Sequence, residues 1–471
     1  MLKRTRSFLV LVMLLMTVTM SAQVTTATMS GKVTAQDEPI IGATIVAIHE
    51  PSGTRYGTVT NVSGQFNLQG MRTGGPYKVE ISYVGYQTAI YKGINLLLGE
   101  NYVLNVSLKE SSELLDEVVV TASKESNMKS DRAGAIMNAN RDMISNTPTI
   151  SRSISDIMRL SPQGADVGNG FAVGGGNYRQ SFVTVDGAAF NNTFGLGGNL
   201  PANGSPISLD ALEQVTVAVT PFDVRQSGFT GGAINAVTRS GDNQFRGTAY
   251  MYFNNENLKG SKVDDYELLR SKAQYYTYGA SFGGPIIKDK LFFFVNGEYE
   301  DNVTAGSNYR PRTALGESYS GGNIHRPLQS DMDDMRGFLL NKYNFDPGKY
   351  NDYSTDTPAY RVMARVDWNA NQNNKVSFRF TKTHTKDSNF PTSSVSPLST
   401  SALYPGGTST EVIDGKPVGT IAPGQGRTSK YALSFSNSNY YQVRDFTSVA
   451  GEWNSRMAQG AMNNMLRFAY S

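Results

Sequence analysis

Residues able to do covalent or metal chemistry are few and scattered in this chain. The three histidines, His49, His325 and His384, lie in separate regions, and none has a second histidine at metal-ligand spacing. There is no cysteine, which excludes disulfides, thiolate zinc sites, a thiol nucleophile and a lipid-modified N-terminal cysteine. "GNGFAVGGG", Gly168 to Gly176, is glycine-rich but lacks the strand-then-helix setting of a dinucleotide site, and no Gly-Lys-Ser/Thr phosphate loop occurs. "DMDDMRG", Asp331 to Gly337, begins like a calcium loop. Met335 and Arg336 then stand where a ligand and a glycine are required, so it reads as a solvated acidic loop. No catalytic residue, metal site or cofactor is expected, and the chain is not expected to be an enzyme.

Composition points elsewhere. The 471 residues hold 47 glycines, 25 tyrosines and 22 phenylalanines. Abundant glycine and aromatics suit many short-turned strands better than a soluble α/β enzyme. A formal net charge of +3 gives no reason to expect nucleic acid as a partner. Lys3, Arg4 and Arg6 precede the apolar run Phe8 to Met20, and Ser21-Ala22-Gln23 offers a cleavage site. Residues 1–23 thus read as a signal peptide for export. No later run is long and apolar enough for a spanning helix, so a membrane-integral form must span as strands.

The elements follow from period and punctuation. Residues 24–110 read as a β-sandwich of seven short strands. Within it, "GKVTAQDEPIIGATIVAI" gives two strands about a Pro39 and Gly42 turn, and "GTVTNVSGQFNL" gives a hairpin turning at Ser63-Gly64. In "YKVEISYVGY", Tyr77, Val79, Ile81 and Tyr83 share one face. Residues 125–242 read as a small mixed α/β domain with long Gly/Asn loops. Its parts are a short helix capped by Ser153, the strand "SFVTVDGAAF" with an Asp186-Gly187 turn, a helical turn leading into "EQVTVAV", and the strand "GFTGGAINAVTRSG". From residue 243 seven strands follow: 245–253, 275–282, 290–300, 360–368, 375–383, 445–456 and 463–470. Val362, Ala364, Val366 and Trp368 fall on one face and Met363, Arg365 and Asp367 on the other. Val376, Phe378 and Phe380 likewise oppose Ser377, Arg379 and Thr381. A soluble sandwich shows the same alternation, but long and short connections alternate here as they do in an outer-membrane barrel.

"DEVVVTA", Asp116 to Ala122, is valine-rich and has no hairpin mate. It is either the last strand of the sandwich or a strand that adds itself to another protein's sheet. The sandwich stretch resembles the carboxypeptidase regulatory-like domain through Gly31, Val33, Pro39, Gly42-Ala43, Thr58, Gly64 to Phe66 and Tyr83 to Tyr86, a module that is non-catalytic. Asp116, Glu117, Val118, Val119, Val120, Thr121 and Ala122 resemble the TonB box of TonB-dependent outer-membrane transporters. "GFTGGAINAVTRSGDNQFRG" and "FVTVDG" resemble that family's plug through Asp186, Gly187, Gly231, Gly232, Asn235, Thr238 and Arg239, and look most like its Oar-like branch. The resemblance implies a mainly β chain: N-terminal sandwich, small mixed α/β plug, then the first strands of a large transmembrane β-barrel. It places the chain in the outer membrane of a Gram-negative cell, among its lipids, with the sandwich in the periplasm. TonB, with ExbB and ExbD, would pull the box, and an extracellular ligand, guessed as peptide or carbohydrate, would be imported past the plug.

Seven strands are fewer than a plugged barrel requires, so the sequence is expected to be either a fragment of a longer protein or the product of a broken gene. The rival function is a surface adhesion protein anchored by the same barrel. A variant of the import reading pairs the barrel with a surface lipoprotein lid.

Overall fold

The computed structural model describes residues 24–110, 118–121, 136–149, 152–168, 170–192, 198–201, 206–219, 229–258, 260, 262–264, 266–267, 272–306, 309–318, 323–389, 412–413, 416–417, 433–457 and 462–471. Its first body is a two-sheet sandwich. β1 (Ala27–Ala35) is flanked by β2 (Glu38–Pro39) and by β5 (Gln65–Met71), with β8 (Asn101–Val103) and β9 (Val106–Ser107) parallel to it. The other sheet runs in the order β10 (Val118–Thr121), β7 (Ala89–Leu96), β6 (Gly74–Ser82), β3 (Thr44–His49), β4 (Thr54–Val59). Alternate residues of the facing strands, among them Met29, Val33, Ile45, Leu68, Val79 and Ile81, fill the space between the sheets, as period-2 patterning requires.

Two local expectations fail here. β4 and β5 do not form a hairpin: the Asn61–Gly64 turn carries the chain from one sheet to the other. The alternation in each strand was legible, but which sheet buries its apolar face was not. The face of Tyr77, Val79 and Ile81 ends at Ser82, and Tyr83 and Val84 lie exposed in the turn that follows.

The second body is built on the sheet β11 (Ile136–Asn140), β16 (Leu212–Ala218), β17 (Ala233–Thr238), β14 (Phe182–Val185), β15 (Ala188–Ala189). Beside it lie the helices Arg141–Asn146 and Ile154–Met158, and the hairpin of β12 (Gly164–Asp166) with β13 (Phe171–Val173). Ser153 and Asp156 form a capping box at the start of the second helix.

The third body is a wall of seven long antiparallel strands in sequence order. These are β18 (Arg246–Asn255), β21 (Gln274–Ile287), β22 (Leu291–Ala305), β26 (Ala359–Asn369), β27 (Asn374–Asn389), β30 (Tyr440–Met457) and β31 (Met462–Tyr470). The short pairs β19 (Lys262–Val263) with β20 (Tyr266–Glu267), β23 (Arg310–Arg312) with β24 (Ile324–Leu328), and β28 (Val412–Ile413) with β29 (Lys416–Pro417) sit in the long connections. β25 (Ser354–Asp356) extends the wall beside β22. β27 and β30 run 16 and 18 residues, beyond the roughly 9–11 that a tilted strand needs to cross a bilayer. The predicted alternation holds. Val362, Val366, Trp368, Phe378 and Phe380 face out and exposed, while Arg361, Met363, Arg379 and Thr381 face in and are buried. Each exposed large apolar side chain would cost about 1.5–3 kcal/mol in water, which a hydrocarbon surround removes.

Asp331 to Gly337 is not a loop but part of the helix Gln329–Tyr343. Met332, buried, and Leu339 recur at helical spacing, Asp331 stands in the first turn where the helix dipole favours it, and Asn344 closes the helix in the left-handed conformation.

The sandwich abuts the short-turn end of the wall. Asn243 donates its N–H to Pro51 O at 3.0 Å or less (2.9 Å), and Asn369 Nδ2 donates to Thr54 Oγ1 at 2.9 Å. His49 lies buried at this joint, its Nδ1 2.7 Å from Ser52 Oγ. Burial, then Arg72 and Lys375, hold its pKa well below the ordinary value. The unfolded chain therefore binds a proton near pH 6.5 that the folded chain refuses. Stability from this site is complete above that pH and declines as pH falls below it. Hydrogen exchange of the β3 and β6 amides should show the sandwich opening more readily at pH 5 than at pH 7.5. His49→Gln should flatten that difference, and an unchanged pH slope in the variant would reject the assignment.

Candidate functional site

Two arrangements stand out: an edge strand on the sandwich, and a clasp between the middle domain and the wall.

The strand is β10. Val118, Val119, Val120 and Thr121 pair in parallel with Ala89, Ile90, Tyr91 and Lys92 of β7. The segment thus has no hairpin mate but a parallel partner within the sandwich, reached from a distance in sequence, as the last-strand alternative expected. Asp116, Glu117 and Ala122 lie outside the described residues.

The clasp starts from local turn chemistry. Asp186 and Gly187 both take positive φ (46° and 77°), the geometry that Asp-Gly favours between hairpin strands. This turn joins β14 to β15 and presents the Asp186 carboxylate toward β17. There it accepts the Thr238 N–H at 2.9 Å and the Thr238 hydroxyl at 2.6 Å. Two wall arginines close on the same carboxylate, Arg365 Nη1 and Arg379 Nε, each at 3.4 Å. Arg365 also donates to Thr238 O at 2.9 Å, and grips Asp367 with Nε and Nη2 at 3.0 and 2.9 Å. Asp367 in turn accepts the Ser240 hydroxyl at 2.5 Å. Arg379, 2% exposed, donates to Ser448 Oγ at 2.9 Å and lies over the Phe190 ring. Two carboxylates thus balance two guanidiniums in a largely buried cluster, Arg379 fully enclosed and Asp186, Arg365 and Asp367 slightly exposed.

The other plug residues singled out in the sequence stand around it. Asn235 accepts a hydrogen bond from Thr184 Oγ1 at 2.7 Å, tying β17 to β14. Gly231 donates its N–H to Gln180 O at 3.1 Å. A Cβ on Gly232 would come within 2.5 Å of Val173, so that close approach of β13 needs glycine. Arg239 donates to Asp210 O at 3.0 Å and covers the face of Phe294 on β22. All seven residues therefore gather on β14, β17 and their turns.

Sequence reasoning missed the wall's half. Arg365, Asp367 and Arg379 were visible as polar-face residues, but nothing local named Asp186 as their partner. A second polar contact was missed altogether: Ser208 of the middle domain donates to Glu298 Oε2 at 2.9 Å. Glu298 also accepts from Tyr250 at 2.5 Å and pairs with Arg361 at 3.0 Å. Arg361 reaches Glu300 at 2.9 Å as well. Phe294, Met363 and Ala450 of the wall complete the middle domain's apolar core, so the domain is seated within the curve of the wall. The histidines have separate local roles: His325 stacks on Tyr309, and His384 meets Asp445 at 3.1 Å.

Removing one partner of a buried ion cluster leaves the others uncompensated. Asp186→Asn should weaken the seating by about 3 kcal/mol, read as faster hydrogen exchange in β14 and β17 with the wall strands unaffected. Adding Arg379→Met should restore part of that loss, and additive damage from the two changes would show that the charges do not communicate.

Residues 28–109 match the carboxypeptidase regulatory-like domain and residues 237–416 match an outer membrane beta barrel domain. Among curated proteins the chain is 27% identical to the TonB-dependent transporter Oar of Myxococcus xanthus, over 53% of this chain and 22% of Oar. It is 29% identical to the TonB-dependent receptor SusC of Bacteroides thetaiotaomicron, over 54% of this chain and 24% of SusC. The chain spans about a quarter of the length of these relatives. Among solved structures, the outer membrane transporter YddB of Escherichia coli superposes with a TM-score of 0.44 at 11% identity, covering 69% of this chain and 37% of that one. The siderophore receptor PirA of Acinetobacter baumannii gives 0.39 at 14%, covering 71% and 47%. The chain is similar to TonB-dependent outer-membrane receptors and carries a carboxypeptidase regulatory-like domain ahead of the middle domain and the barrel strands. Its place is the outer membrane, with that N-terminal domain on the periplasmic side.

Proposed function

We propose that this chain is part of an energised importer in which TonB, driven by ExbB and ExbD, pulls on Asp116 to Ala122 and so moves the plug. The observation that carries the reading is the seating of the middle domain within the wall, held by the buried Asp186, Arg365, Asp367 and Arg379 cluster. A domain fixed by a few polar contacts closes a passage until work is done on it. Few apolar side chains of the wall join its core, so its release exposes little hydrophobic surface.

The polarity of the wall agrees with this. Short turns at 288–290 and 370–373 face the sandwich, and the described parts of the long connections 256–273, 306–358 and 390–439 lie at the opposite end. Those connections carry an exposed ring fit for stacking on a flat ligand, Tyr309, which is backed by the buried His325, while buried Tyr350 packs edge-on to Phe435. Tyr350, its pKa pushed up to about 12 by burial and by its hydrogen bond to Asp333, stays a neutral donor throughout the physiological range. Rings with hydroxyl and amide donors suit a peptide or carbohydrate better than a purely apolar ligand. A surface lipoprotein covering these loops would be a further partner.

Val119→Pro in the intact receptor tests the coupling step, because proline removes a strand hydrogen bond. Binding of the TonB C-terminal domain should weaken by about tenfold, the equivalent of one such bond, and uptake should fall with it. Uptake at the wild-type level in that variant would reject coupling through this segment.

A further inference from the structure

The sandwich itself has no assigned part in this scheme, yet β10 is one of its strands. β10 is terminal in the order β10-β7-β6-β3-β4, and among the described residues no strand pairs with its outer edge. We propose that the N-terminal sandwich is a presenting platform: it holds the coupling strand in extended form on β7, and a strand of TonB adds to the free outer edge without displacing it. This rests on the reading of Asp116 to Ala122 as the TonB-binding segment.

Three features of the chain support presentation over competition. First, backbone N–H and C=O groups of successive strand residues point alternately to the two sides. β7 engages one set of Val118–Thr121, and the other set is left for a partner. The two pairings use different groups of the same strand. Second, fixing a backbone residue in one conformation has an entropic cost. For residues 118–121 that cost is met within the chain, so a partner meets an edge that is already extended.

Third, the segment is delivered to β7 by a nearby anchor. Gln87 donates its N–H to Lys109 O at 2.9 Å, and Tyr86 bridges Glu110. Both contacts lie just before β7, on the edge where β10 docks, and only residues 111–117 separate anchor from strand. So short a tether keeps the effective concentration of the strand at its dock high.

Presentation gives the sandwich a mechanical part. A pull on β10 passes through β7 into contacts with the plug and wall. Leu98, just past the end of β7, donates its N–H to Gln214 of the plug at 3.1 Å. Thr25 donates to Glu452, which also pairs with Arg467 at 2.8 Å.

These 471 residues contain no cysteine, so a pair introduced here meets no competing thiol among them. Lys92 is exposed and stands in register with Thr121. The double variant Lys92→Cys with Thr121→Cys, in the full receptor in detergent, should cross-link under mild oxidant. The oxidised form should then bind the TonB C-terminal domain at least as tightly as the reduced form. Failure to cross-link would mean that the strand is not docked on β7, and would overturn the proposal. Cross-linking with binding weakened by about tenfold or more would mean that the strand must leave β7 before TonB pairs with it, which also overturns presentation. Efficient cross-linking together with no TonB binding by the unsubstituted receptor would instead remove the TonB reading and leave β10 as a structural strand; cross-link yield is scored without TonB, so the failures are distinguishable.

Discussion

The buried carboxylate of Asp186 is the constraint on which the arrangement depends. Charged groups inside a protein are costly unless each meets a counter-charge and its remaining donors find acceptors. Asp186 meets two arginines from the wall and two donors from Thr238. Its position is fixed by a turn whose two residues both need positive φ. The turn determines where the charge points, and the charge determines which wall strands lie beside the plug. Arg365 and Arg379 occupy neighbouring strands in direct register, so a single carboxylate spans the β26–β27 pair.

The same cluster reconciles firmness with release. A buried pair adds little to stability compared with well-packed apolar side chains, but it defines one geometry sharply. Apolar seating through Phe294, Met363 and Ala450 is modest beside the plug's own core. The middle domain is therefore placed largely by polar contacts, and on the proposed function water would replace them as it moves. The contacts of Ser208 with Glu298 and of Thr383 with Pro206 O add two further points of the same kind, and three separated points resist rotation of a small domain inside a curved wall.

Much of this was legible in the sequence, for physical reasons. Period-2 alternation in long strands names the outward face, so the seven wall strands and the polar positions of Arg365, Asp367 and Arg379 could be read residue by residue. Asp186-Gly187 and Ser153 declare a turn and a cap through local chemistry. What could not be read was pairing across distance. Asp186 and Arg379 are far apart in the chain, and no local pattern joins them. β4 and β5 look like a hairpin because a turn lies between them, yet the two-sheet core separates them. The helix Gln329–Tyr343 is hidden in the sequence because Met332 is its only buried residue, so it carries no continuous apolar stripe. Val118 to Thr121 showed its extended character but not its neighbour, β7.

The central claim is that force applied at the N-terminal side of the plug moves the plug and leaves the wall intact. Single-molecule pulling on the complete receptor, with the wall held in a bilayer and a handle placed at Ala122, measures this directly. The account predicts that the first yielding event, at the lowest force, comes from the middle domain, with the hairpins of the wall persisting to higher force. Wall strands that yield before the middle domain would contradict it.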